Sequence, residues 1–173
     1  EDSQTGLVAR DGGPIPLPHV LRTTDGGATW QQVDFPEPSA GLFANHYCTT
    51  RSLQRLSGTS AAFVMNCMNF EPGGAHRAYL YTTADYGATW EGQPLPEPVW
   101  PPEWRNVNSS ATVQWLTADI HWLFTTAYYE LPDSTTGYNA TSIYLTRDGG
   151  KSWESQGQTY WRGEFLFTSL TEG

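Results

Sequence analysis

Thr23-Thr24-Asp25-Gly26-Gly27-Ala28-Thr29-Trp30, Thr83-Ala84-Asp85-Tyr86-Gly87-Ala88-Thr89-Trp90 and Thr146-Arg147-Asp148-Gly149-Gly150-Lys151-Ser152-Trp153 are three copies of one frame. The frame is Thr-x-Asp-x-Gly-x-(Ser/Thr)-Trp, and its copies recur at roughly 60 residues, a period that marks a repeat architecture. Each position has a mechanical reading. The aspartates, Asp25, Asp85 and Asp148, accept hydrogen bonds from backbone N–H groups one and two residues ahead and close a turn. The glycines, Gly27, Gly87 and Gly150, supply a positive φ without steric cost. The tryptophans, Trp30, Trp90 and Trp153, pack beneath the hairpin toward a neighbouring unit. The flanks, such as Tyr79-Leu80-Tyr81-Thr82 and Ser142-Ile143-Tyr144-Leu145, are β-prone, so each copy reads as the turn of a β-hairpin.

The rest of the chain agrees with an all-β reading. No stretch sustains a 3.6-residue period, and 17 Gly and 12 Pro punctuate its 173 residues. No apolar run approaches the ~18–20 residues that span a bilayer. The net charge is −9 with one lysine, Lys151, which argues against binding nucleic-acid phosphates or docking on anionic lipid by charge. Cys48 and Cys67 lie symmetrically about Ser57-Gly58, a hairpin turn that puts them opposite each other on adjacent strands. They are either bridged, which implies an oxidising compartment, or two free core thiols.

The frame resembles the Asp-box, or bacterial neuraminidase repeat, of sialidase-like, photosystem II assembly factor-like and sortilin-like proteins. Three copies at this spacing, with Pro36-Glu37-Pro38 and Pro96-Glu97-Pro98 at matching distances after Trp30 and Trp90, carry the resemblance along nearly the whole chain. It implies a β-propeller of about three four-stranded blades, part of a six- to eight-bladed ring. Blade one spans about 6–38, blade two about 42–98 with its first strand at 42–53, and blade three about 112–158. A first strand of a further blade follows at about 164–170. The remaining blades then belong to a longer chain or to a second copy.

The resemblance does not extend to catalysis. Ile15-Pro16 follows Pro14 and not the arginine of the sialidase motif. Glu103, Asp119, Glu130, Asp133 and Glu164 show no spacing of a general acid–base pair. His19, His46, His76 and His121 lack metal-ligand spacing, and no cofactor is expected. The resulting expectation is a non-enzymatic extracytoplasmic propeller scaffold that binds a protein or a glycan. The alternative is a segment of a xyloglucanase- or sialidase-like glycoside hydrolase. Binding falls to Trp100, Glu103 and Trp104, in the run Val99-Trp100-Pro101-Pro102-Glu103-Trp104-Arg105, and to Tyr160 and Trp161. Pro101-Pro102 makes that run a stiff loop, and exposed aromatics stack on ligand faces.

Overall fold

The computed structural model describes residues 4–10, 19–38, 40–69, 76–98, 105–130, 137–161, 163 and 165–169. The strands are β1 (Gly6–Arg10), β2 (His19–Thr23), β3 (Gln31–Val33), β4 (His46–Ser57), β5 (Ser60–Asn69), β6 (Arg77–Thr83), β7 (Glu91–Pro94), β8 (Arg105–Trp115), β9 (His121–Glu130), β10 (Gly137–Thr146) and β11 (Glu154–Thr159), with one short helix, α1 (Leu42–Asn45). They form three antiparallel sheets in simple meander order: β1-β2-β3, β4-β5-β6-β7 and β8-β9-β10-β11.

Side-chain alternation makes these sheets a stack. Successive residues of a strand point to opposite faces. On β5, Phe63, Met65 and Cys67 join Val20, Tyr81 and Trp90 in a buried cluster that Leu7 of β1 also packs against. The residues between them, Ala62 and Val64, join Leu80, Ala111, Val113, Leu123 and Tyr144. The second sheet is therefore covered on both faces, by the first sheet and by the third, which is why β5 reads as the apolar run Ala61-Ala62-Phe63-Val64-Met65. The other face of the third sheet buries Trp122, Phe124 and Leu145 under Phe165 and Phe167. Each large side chain so buried contributes about 1.5–3 kcal/mol.

This architecture corrects the propeller expectation. The sheets are flat and separate, and they do not close into a ring. Among the described residues, no strand of the first sheet pairs with a strand of the third. The Asp-box resemblance ends at the turns. Turn chemistry and a 60-residue period specify hairpins and their spacing, which any run of meander sheets satisfies; a ring also requires the first and last sheets to meet. Residues 165–169, expected to start a further blade and to need another polypeptide, form no strand and lie on the chain's own third sheet. The scaffold and glycoside-hydrolase readings, and the partner supplying further blades, fall with the ring they assumed.

Two smaller corrections follow. Residues 42–45, expected in a strand, make one helical turn, entered through Gly41 at φ 76° and pinned by the Phe43 N–H donating to Glu37 Oε1 at 2.6 Å. The three tryptophans are not equally buried. Trp90 is 4% exposed and Trp30 is 42% exposed. Trp90 belongs to the buried cluster between the first and second sheets, and Trp153 packs on the one between the second and third. Trp90 and Trp153 thus face the preceding sheet, whereas among the described residues no sheet covers Trp30.

Cys48 and Cys67 are directly opposite on β4 and β5 and form a disulfide inside the first cluster. Replacing both by alanine is expected to cost about 2–4 kcal/mol, read from denaturant unfolding midpoints. Trp90→Ala is expected to cost about 3–5 kcal/mol, and Trp30→Ala less than half of that. Equal losses at the two tryptophans would contradict the stacking order.

Candidate functional site

The repeat turns are built alike. The Thr23 hydroxyl donates to Asp25 Oδ1 at 2.7 Å and accepts from the Gly27 N–H at 2.9 Å. Asp25 Oδ1 also accepts the Thr29 N–H at 2.9 Å, and Oδ2 accepts the Thr29 hydroxyl at 2.6 Å. The same bonds recur at Thr83, Asp85 and Thr89 and at Thr146, Asp148 and Ser152. The carboxylate therefore reaches four residues ahead, not one or two; the threonine hydroxyl takes the nearer N–H groups. These bonds, led by that of the residue-29, 89 or 152 hydroxyl, hold all three carboxyls down at about 2. Both oxygens of each aspartate are thus engaged by its own turn, a structural role.

The turns also lock adjacent sheets. A Cβ at Gly87 would sit 2.5 Å from Leu7 Cδ2 of the first sheet, and one at Gly150 would collide with Leu80 of the second. Gln93 Nε2 donates to the Gly150 carbonyl at 2.7 Å. The Tyr81 hydroxyl donates to the Pro36 carbonyl at 2.6 Å, and that of Tyr144, two residues before its own turn like Tyr81, to the Glu97 carbonyl at 2.8 Å. The two Pro-Glu-Pro segments are thus acceptors for the tyrosine of the next sheet.

A carboxamide does related work at each later layer. Asn66 of β5 clamps the backbone of Ala111 on edge strand β8: its Nδ2 donates to the carbonyl at 3.0 Å, and its Oδ1 accepts the N–H at 2.6 Å. Gln114 of β8 does the same to the C-terminal segment. Its Nε2 donates to the Phe167 carbonyl at 2.6 Å, and its Oε1 accepts the Phe167 N–H at 2.9 Å.

That segment lies as a strap over the outer face of the third sheet. Register places Gln114 beside Trp122, Thr112 beside Phe124 and Ser110 beside Thr126. Phe167 stacks on Trp122 at 4.1 Å, and Phe165 on Phe124 at 5.2 Å. Leu166 between them points away and is exposed. Upstream, Thr141 Oγ1 donates to the Trp161 carbonyl at 3.1 Å. Beside the strap runs a groove of about 380 Å³, lined by Ser110, Thr112, Gln114, Thr126, Phe124 and Phe165 among others.

Of the residues expected to bind, Tyr160 and Trp161 are 68% and 78% exposed where the chain enters the strap. Trp100, Glu103 and Trp104 lie outside the described residues. Among the described residues, no three His, Cys, Asp or Glu side chains converge on a metal position, and no helix is long and apolar enough to cross a membrane. Sequence reasoning missed Gln114 and Asn66. The polar alternation Ser110, Thr112, Gln114 against Ala111, Val113, Trp115 marks the face of β8 that carries Gln114. The chain matches no family model, no curated protein and no solved structure.

His121 is fully buried with its ring edge-on to Trp115 at 4.5 Å. Neither ring nitrogen has a hydrogen-bond partner among the described residues, and burial lowers its pKa. The unfolded chain then binds the extra proton first, below about pH 6.5. Stability contributed by neutral His121 is present above that pH and is lost as pH falls through it. The turn carboxyls, titrating at about 2 when folded and near 4 when unfolded, lose their contribution as pH falls from about 4 toward 2. Unfolding free energy against pH is expected to decline in these two windows. His121→Phe should flatten the upper one and leave the lower; an unchanged profile in that variant would remove His121 from the account.

Proposed function

We propose that the chain is a peptide-binding module. The outer face of its third sheet takes an extended polypeptide segment bearing two aromatic residues separated by one. The observation that carries this reading is the strap itself. Its two rings stack on Trp122 and Phe124, and its backbone is held by both ends of one carboxamide. Residues i and i+2 of an extended chain share a face, so Phe165 and Phe167 face the sheet while Leu166 looks out. Recognition through main-chain hydrogen bonds and alternate side-chain positions is how extended peptides are commonly read.

Three further features support it. The groove beside Phe165 leaves room for additional residues along β8. Tyr160 and Trp161 stand exposed at its approach, where we assign them a contact role. The buried Cys48–Cys67 disulfide favours an oxidising, extracytoplasmic setting. The strap is then an intramolecular occupant, and an external segment must compete against its high effective concentration.

The test uses the full chain with Phe165→Ser and Phe167→Ser together, and a synthetic peptide carrying the sequence of residues 163–169. The variant is expected to bind this peptide saturably, and to bind one with both phenylalanines replaced by serine at least tenfold more weakly. Wild-type chain should bind it more weakly than the variant. Adding Gln114→Ala should weaken binding by about 1–3 kcal/mol. A folded variant that ignores the peptide, or wild type and variant binding it equally, would overturn the proposal.

A further inference from the structure

The second repeat breaks a rule that the other two keep. The residue after the aspartate sits in the left-handed region in all three turns: Gly26 at φ 69°, Tyr86 at φ 57° and Gly149 at φ 72°. Its backbone task is the same each time. The Gly26 N–H donates to the Gln4 carbonyl, that of Tyr86 to Thr59 and that of Gly149 to Asp119, all at 2.8–2.9 Å. Glycine performs this without strain, whereas a tyrosine there is held against its conformational preference. Strain retained where a cheaper residue serves elsewhere in the same chain points to a use for the side chain.

Tyr86 lines a cavity of about 270 Å³ between the first and second sheets, just below the size range of drug-sized ligand sites and so suited to a smaller molecule. Leu7, Leu53 and Ala61 give it apolar walls, and Thr59 and Ser60 border it. Leu53 enters through the irregularity in β4 between Arg51 and Gln54. Arg55 supplies the charge. Its Nε and Nη2 both donate to the Gly58 carbonyl, at 3.1 and 2.7 Å, which fixes the guanidinium plane and leaves Nη1 available. Among the described residues Arg55 has no carboxylate partner, in a chain of net charge −9. A fixed, unneutralised guanidinium beside an apolar and aromatic wall complements a carboxylate on an aromatic body.

We propose that this cavity is a binding site for a small aromatic carboxylate, with Arg55 pairing the carboxylate and Tyr86 stacking on the ring. It is independent of the peptide-binding face, which lies on the far side of the stack. The test is titration of the full chain with phenylacetate and, separately, with its neutral isostere phenylacetamide, followed by tyrosine and leucine-methyl NMR shifts. Saturable shifts of Tyr86, Leu7 and Leu53 are expected with phenylacetate, and at least tenfold weaker binding with phenylacetamide. Arg55→Gln, at an exposed side chain, should weaken phenylacetate at least tenfold with an unchanged melting temperature. Tyr86→Gly should also lose binding, while its melting temperature holds or rises because the strain is removed. Equal affinity for the two probes, binding indifferent to Arg55→Gln, or no saturable shifts at all would overturn the proposal.

Discussion

A flat sheet with apolar side chains on both faces has to be covered on both sides, and the architecture of this chain follows from that constraint. The second sheet carries Phe63 and Met65 on one face and Val64 and Leu80 on the other, so it is stable only between two layers. The third sheet repeats the demand with Leu123 inward and Trp122 and Phe124 outward. No fourth sheet lies on that outward face among the described residues; Phe165 and Phe167 cover it. Apolar burial sets this need, but it is non-directional. The carboxamide clamps of Asn66 and Gln114 supply direction, fixing where the next backbone lies through paired hydrogen bonds.

The repeat turns are the second element of order. Their hydrogen bonds make each hairpin rigid, and their outer residues are shaped by the layer they touch. Gly87 and Gly150 are needed twice over, for a positive φ and because Leu7 and Leu80 press against them. A Cβ at Gly27 would meet, among the described residues, its own Trp30 and no neighbouring sheet. The same asymmetry explains the exposure of Trp30 and the presence of Leu21 where the later sheets place Tyr81 and Tyr144. Among the described residues, the second and third sheets each grip the sheet before them.

Much of this was legible in the residues. The three frames located three hairpin turns, and β-prone flanks located their strands. The spacing of Cys48 and Cys67 placed them opposite each other but left the bridge open, and the turn lies at Gly58-Thr59, one residue beyond Ser57-Gly58, with two irregularities in β4 bringing the cysteines back into register. What was not legible depends on contacts between units. A repeat period is silent on whether sheets stack in a row or close into a ring, because both use the same hairpins. Phe165-Leu166-Phe167 has the alternation of a strand, and only the presence of Trp122 and Phe124 beneath it makes it a strap. Gln114 reads as one polar residue among several, since its role depends on the backbone brought opposite it. Tyr86 occupies a variable position of the frame, and its significance required the φ angle.

The proposed binding at the third sheet rests on the same covering rule. A face that must be occupied, and that is occupied by a short segment rather than a sheet, is a face at which one segment can replace another. The most direct measurement is an isotope-filtered NOE experiment on labelled full chain with an excess of unlabelled peptide of residues 163–169. The account predicts intermolecular NOEs from the peptide rings to Trp122 and Phe124, with loss of the intramolecular contact between Phe167 and Trp122. Intermolecular NOEs elsewhere on the stack, or an undiminished Phe167–Trp122 contact at saturating peptide, would contradict it.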